Sequence, residues 1–126
     1  MGTETAEYLL EQGCTVTIVE MLDKIAMGES GTILPTILAD FARHGVKQHV
    51  NTRVTAIEGG MVKALCGEEE IAIPCDTVVM AVGSRKNAFN TSGITVPVIF
   101  AGDCAGEKTA GILEAVRSGY QAANSI

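Results

Sequence analysis

Along the chain the spacing of apolar positions changes several times, and each change marks an element. In residues 3–12, Ala6, Leu9 and Leu10 recur at helical spacing, and Gly13 stands where a left-handed C-terminal cap is wanted. The next run, Thr15-Val16-Thr17-Ile18-Val19-Glu20, is β-branched and nearly continuous in apolar content. That suits a strand buried on both faces of a parallel sheet and ending on a carboxylate. After a loop around residues 28–31, the positions Ile33, Leu34, Ile37, Leu38, Phe41 and Ala42 predict a second helix. Pro35 fits it only in the first turn, and Gly45 closes it. Residues 46–50 read as a short strand, so this half alternates helix, strand, helix, strand, as an α/β sheet does.

The pattern then shortens. Residues 54–57, 61–65 and 71–73 are brief apolar strands separated by Gly59-Gly60 and by residues 67–70, which predicts an antiparallel meander with the acidic run Glu68-Glu69-Glu70 as a solvated loop tip. Residues 76–82 read as another buried strand, and residues 98–101 as a further short one running into Gly102-Asp103. Residues 110–124 are helical, with Ile112, Leu113, Val116 and Ala123 on one side and Glu114, Arg117 and Gln121 on the other.

Composition narrows the function classes. The 126 residues are 47% hydrophobic with a net charge of −6, so the chain can bury a core and lacks the signature of disorder. The acidic balance, with two Tyr, three Phe and no Trp, offers neither a phosphate-neutralising surface nor a stacking platform, and no nucleic-acid partner is expected. No apolar run approaches the roughly 20 residues of a membrane span, and the N-terminus has no signal-peptide pattern, so no membrane partner and a cytoplasmic location are expected. Cys14, Cys66, Cys75 and Cys104 form no C-x-x-C pair and are expected to be reduced, mostly buried small hydrophobes. His44 and His49 flank a helix-to-strand junction. No catalytic residue and no metal ligand is assigned.

The order of elements matters because a dinucleotide site needs a glycine-rich turn opening a helix, then an acid one strand later. The glycines let the backbone approach a pyrophosphate, and the acid accepts hydrogen bonds from a ribose diol. Gly2 and Glu20 are 18 residues apart, near the roughly 20 of that pattern. The first strand and the first two glycines of G-x-G-x-x-G are absent, and a lone glycine before a helix equally marks an ordinary helix start.

Four segments together resemble the successive motifs of FAD/NAD-linked flavoprotein reductases: Gly2-Thr3-Glu4-Thr5-Ala6-Glu7-Tyr8-Leu9, Val16-Thr17-Ile18-Val19-Glu20, Ala81-Val82-Gly83-Ser84-Arg85 and Phe100-Ala101-Gly102-Asp103. The first of these and Ile112-Leu113-Glu114-Ala115-Val116-Arg117-Ser118-Gly119-Tyr120 are similar to the NADH:flavin oxidoreductases of the 2,4-dienoyl-CoA and 2-enoate reductase type. In that family an FMN-bearing barrel with an iron-sulfur cluster precedes this region, and a nicotinamide nucleotide delivers hydride to FAD.

The resemblance implies a truncated Rossmann-like NAD-binding domain in residues 1–86, its parallel sheet missing the first strand and carrying an antiparallel meander. Residues 87–126 would be the C-terminal segment of an FAD domain. It implies that Gly2 is the third fingerprint glycine, Glu20 the ribose acid, Glu4 a glutamate on the nicotinamide and flavin side, and Ala81-Val82-Gly83 a strand end against the nucleotide. A threonine more often occupies the position of Val82. Gly102 and Asp103 match the second FAD motif, in which the carboxylate accepts from a ribityl hydroxyl. Structural roles for Glu4, Glu20 and Asp103 (helix dipole, strand end, turn) stand beside these.

A carboxylate at Glu20 repels the extra phosphate of NADPH and no arginine follows in residues 21–24, so NADH is the expected nucleotide. FMN and an iron-sulfur cluster fall outside the chain, and the rest of a parent flavoprotein is the expected partner. A fragment of this kind is expected to show no turnover alone, the alternative being a non-catalytic nucleotide-binding or interaction module. Two open backbone edges beside the missing strand are expected to favour self-association as a dimer, or to be filled by residues 98–101.

Overall fold

A computed structural model of the chain describes residues 2–87, 89–105 and 111–126. The chain divides into two compact units, Met1–Ala81 and Val82–Ile126. The first opens with α1 (Gly2–Glu11), which buries Thr3, Ala6 and Leu10 along one stripe. Gly13, at φ +80°, ends it: the Gly13 and Cys14 N–H groups return to the carbonyls of Leu10 and Leu9 at 2.9 and 3.0 Å. Strand β1 (Thr17–Val19) leads through a loop to α2 (Leu34–Arg43), whose Pro35 lies in the first turn where its missing N–H costs nothing. Gly45, at φ +67°, turns the chain into β2 (Lys47–His49). This strand pairs parallel with β1 in the register Thr17 to Lys47, Ile18 to Gln48 and Val19 to His49.

The core of this unit is Ala6, Leu10, Ile25, Ile37 and Phe41, with Val16, Ile18, Val46 and Val50 packed against it. Phe41 is fully buried at its centre. Strand side chains alternate between faces, so this list shows that Val16 and Ile18 turn toward both helices and Thr17 and Val19 turn away. The strand expected to be buried on both faces is only half-buried throughout.

β3 (Thr52–Glu58), β4 (Met61–Cys66) and β5 (Glu69–Pro74) form the expected antiparallel sheet in that order. Gly59 and Gly60, at φ +57° and +74°, make the β3–β4 turn, where two successive positive φ angles match the right-handed strand twist. Val62 and Ala64 of β4 are buried, and the fully buried Thr52 hydroxyl donates to the Val50 carbonyl at 2.8 Å. The acidic run is not all loop. Glu69 and Glu70 pair with Cys66 and Leu65 at the start of β5, because the turn at Gly67, φ +63°, is tight enough to bring them back into register.

The second unit contains a 3-10 turn (Gly102–Cys104) and α3 (Ile112–Ala123); the expected helix start at Ala110 lies outside the described residues. α3 buries none of its side chains, leaving Ile112, Leu113 and Val116 exposed.

Three further expectations are corrected. Residues 76–82 carry no strand pairing, and Val79, Met80 and Val82 are exposed. A strand exists only through a neighbour's hydrogen bonds, and among the described residues this apolar segment pairs with no other strand. Residues 98–101 are likewise unpaired, with Val98, Ile99 and Phe100 exposed, so they do not fill a strand position. The cysteines are free but not mostly buried: Cys14, Cys66 and Cys104 are exposed and Cys75 is intermediate, because they stand at a helix end, a strand end and a short turn rather than on the core stripe.

Candidate functional site

The start of α1 lies close against residue 81. A Cβ at Gly2 would lie 3.1 Å from the Ala81 Cβ, inside ordinary carbon–carbon contact, so glycine lets the helix start approach residue 81. The fold thus brings together two predicted site residues 79 positions apart in sequence. Close packing against a strand is the physical role of the third glycine in a dinucleotide fingerprint; here Gly2 makes that approach to residue 81 of an unpaired segment. Glu4 is exposed in the first turn of this helix, where a carboxylate complements the positive end of the helix dipole.

Glu20 follows β1 directly. Its N–H donates to the His49 carbonyl at 2.8 Å and its own carbonyl accepts from the Thr52 N–H at 2.8 Å, so the backbone is fixed between β2 and β3. One carboxylate oxygen, Oε1, accepts from the Leu22 N–H at 2.9 Å. A carboxylate held so at a strand end retains acceptor capacity for a diol. Ala81, Val82 and Gly83 are exposed, and Gly83 takes φ +88°.

In the second unit, Ala101 is extended and Gly102 turns sharply at φ +64°. The Gly102 N–H donates to Ser118 Oγ of α3 at 2.7 Å, and Ser118 Oγ donates on to the Ala115 carbonyl at 3.1 Å. A Cβ on Gly102 would meet the Ala115 Cβ at 3.8 Å, so the turn carrying Asp103 lies against α3.

Two functional candidates escaped the sequence. Thr3 is buried despite its hydroxyl, and Oγ1 donates to Glu29 Oε1 at 2.7 Å across 26 residues. The loop bearing Glu29 also borders a groove of about 320 Å³ lined by Lys24, Ile25, Met27, Leu34, Leu38 and Val50. No local spacing announces either. Among the described residues no group of three His, Cys, Asp or Glu is placed to hold a metal ion, and no helix is long and apolar enough to cross a membrane.

Comparison with known proteins gives the wider context. A family model described as pyridine nucleotide-disulphide oxidoreductase matches residues 1–122. The bilirubin reductase of Mediterraneibacter gnavus (strain CC55_001C) is 44% identical over 129 residues, spanning 100% of this chain and 20% of the relative. The NADH oxidase of Thermoanaerobacter brockii is 35% identical over 133 residues, again 100% of this chain and 20% of the relative. The chain therefore spans about a fifth of the length of these curated relatives. Among solved structures, a 2-naphthoyl-CoA reductase complex superposes with a TM-score of 0.79 at 26% identity, covering 98% of this chain and 19% of that one. The bacillithiol disulfide reductase of Staphylococcus aureus shares the fold, with a TM-score of 0.74 at 20% identity over 98% of this chain and 46% of that one.

Proposed function

The chain belongs to the pyridine nucleotide-disulphide oxidoreductase family, and from that premise we propose that it is the nucleotide-binding part of an NADH-dependent flavoprotein oxidoreductase. In the whole protein NADH supplies a hydride and FAD accepts it. The observation that carries the reading is the close approach of Gly2 to Ala81, taken together with a carboxylate at the end of β1, Glu20, one strand after that helix. A helix start without a side chain admits a pyrophosphate to the backbone N–H groups, and the acid takes the ribose diol. Residues 1–86 are proposed as the nucleotide domain and 87–126 as part of the FAD domain.

In this reading Gly2, Glu20, Ala81, Val82 and Gly83 bind NADH, and Glu4 borders the nicotinamide. The Glu20 carboxylate favours NADH over NADPH by repelling a 2′-phosphate. Asp103, presented by the turn that Ser118 anchors, accepts from a ribityl hydroxyl of FAD. Likeness to 2-naphthoyl-CoA reductase and NADH oxidase supports the enoate and dienoyl-CoA reductase type, whose FMN and iron-sulfur cluster belong to other segments. Hydride transfer requires donor and acceptor held in one geometry, so the isolated chain is proposed to bind nucleotide without turnover. Its partners are then the nucleotide, the remaining flavoprotein and, through its open strand edges, a second copy. Four free thiols suit a reducing, cytoplasmic setting.

Titration with NADH, followed by nucleotide fluorescence, tests this, with NADPH and Glu20→Ala alongside. Saturable NADH binding that weakens in the variant supports it. No binding up to about millimolar, a free energy weaker than roughly −4 kcal/mol, overturns it for the isolated chain. Flavin absorbance with NADH-dependent dye reduction would instead make the chain an enzyme by itself.

A further inference from the structure

The loop between β1 and α2 leaves Glu20 and ends at the first turn of α2. Its course is fixed at several points. The Leu22 N–H bonds the Glu20 carboxylate at 2.9 Å, and the Leu22 carbonyl accepts from the Asn51 N–H at 2.8 Å. Ile25 is sunk into the core at 7% exposure. Ala26 then turns back at φ +59°, a left-handed conformation that a Cβ disfavours and that persists only where the surroundings hold it. The Glu29 N–H closes that turn on the Ala26 carbonyl at 2.9 Å, and the Glu29 carboxylate accepts from Thr3 Oγ1 at 2.7 Å.

This last bond differs from the others in what it joins. Thr3 is the residue after Gly2 in the first turn of α1, and it is 8% exposed. A short bond from a buried hydroxyl to a half-buried carboxylate is charge-assisted, and losing Glu29 leaves the buried Thr3 hydroxyl unsatisfied. It ties the loop that follows Glu20 to the start of the helix that would receive the phosphates.

We propose that Thr3 and Glu29 form a latch that positions the Glu20 loop against the first turn of α1, and that the latch sets the discrimination between NADH and NADPH. The proposal rests on the nucleotide-site reading above. An adenosine diphosphate is gripped at two places here, its phosphates by the helix start and its ribose by Glu20. The two grips act together only if their spacing holds to about half an ångström. Releasing the latch lets the loop and the Glu20 carboxylate relax, which weakens the bonds to the ribose diol. The same release moves the carboxylate away from a 2′-phosphate, so NADPH loses less than NADH. Thr3 and Glu29 are therefore positioning residues; neither touches the nucleotide.

The test is equilibrium binding of NADH and of NADPH to the full chain and to Thr3→Val, Thr3→Ser, Glu29→Ala and the double variant Thr3→Val with Glu29→Ala. Thr3→Val and Glu29→Ala should each weaken NADH about fivefold to tenfold, the scale of one ordinary hydrogen bond since only part of the latch's strength reaches the ribose grip, and shift NADPH by less than about twofold. Thr3→Ser keeps the hydroxyl and should bind as the wild type does, while the double variant should be no worse than either single. An unchanged NADH-to-NADPH ratio, with both nucleotides weakened alike or neither, overturns the latch and leaves the nucleotide site standing. Wild-type protein that binds neither nucleotide overturns both. Far-UV circular dichroism checks folding, and Thr3→Ala replaces Thr3→Val if the bulkier side chain is not accommodated.

Discussion

Substitution of Gly2 by alanine isolates the close approach on which the site depends. The added Cβ would stand 3.1 Å from the Ala81 Cβ, where carbon atoms normally rest at about 3.5–4.0 Å. Helix and segment must therefore separate by several tenths of an ångström, and such overpacking costs about 1–3 kcal/mol. Against this, alanine in place of glycine gains at most about 1 kcal/mol of helix propensity, less at a first helical residue. The net expectation is a destabilisation of about 1 kcal/mol, which with a urea slope near 1–3 kcal/mol/M lowers the midpoint by roughly 0.5 M. The partner substitution Ala81→Gly removes the opposing methyl, so Gly2→Ala in that background should be neutral or stabilising. Urea unfolding of the four proteins, followed by far-UV circular dichroism, gives the coupling free energy, expected at about 1–2 kcal/mol. If Gly2→Ala stabilises the wild type and its effect is the same in both backgrounds, the close-packing argument is wrong and Gly2 is an ordinary helix start.

Other outcomes follow from the same structure. Phe41→Ala empties the centre of a small core and should cost about 3–5 kcal/mol, read as a lost or strongly lowered thermal transition. Gly102→Ala places a Cβ at φ +64° and should cost about 1–2 kcal/mol through backbone strain, since the nearest atom at 3.8 Å leaves room for it. Ser118→Ala removes the acceptor of the Gly102 N–H and should cost about 1 kcal/mol, seen as faster hydrogen exchange at that amide. Val79→Lys and Met80→Glu alter exposed positions on an unpaired segment; stability should change by less than about 0.5 kcal/mol. Sedimentation velocity on that double variant should show less concentration-dependent association if the open segment drives it.

What the chain's linear order settles is local. Ala6 and Leu10 lie one turn apart in α1, Ile37 and Phe41 one turn apart in α2, and glycines with positive φ stand at the α1 cap, after α2 and in the β3–β4 turn. Each of those features depends on neighbours within about four residues, which a sequence displays directly. The joint run of motifs pointed to the family for the same reason, since each piece is a short word whose spacing survives in one dimension.

Pairing is another matter. Residues 76–82 have the apolar, β-branched character of a buried strand and yet stand unpaired, because a strand is completed by a neighbour and not by its own side chains. The nearly continuous apolar run in residues 16–19 could not say which face met the helices; in the fold Val16 and Ile18 pack against the core cluster. Cysteines expected inside proved mostly exposed, since burial follows position on a packed face rather than residue type. The Thr3–Glu29 bond joins residues 26 apart through a turn that Ala26 makes against its own preference. Local spacing fixes helices and turns because their hydrogen bonds close within a few residues; strand partners, buried faces and the latch arise only when distant segments exclude water together.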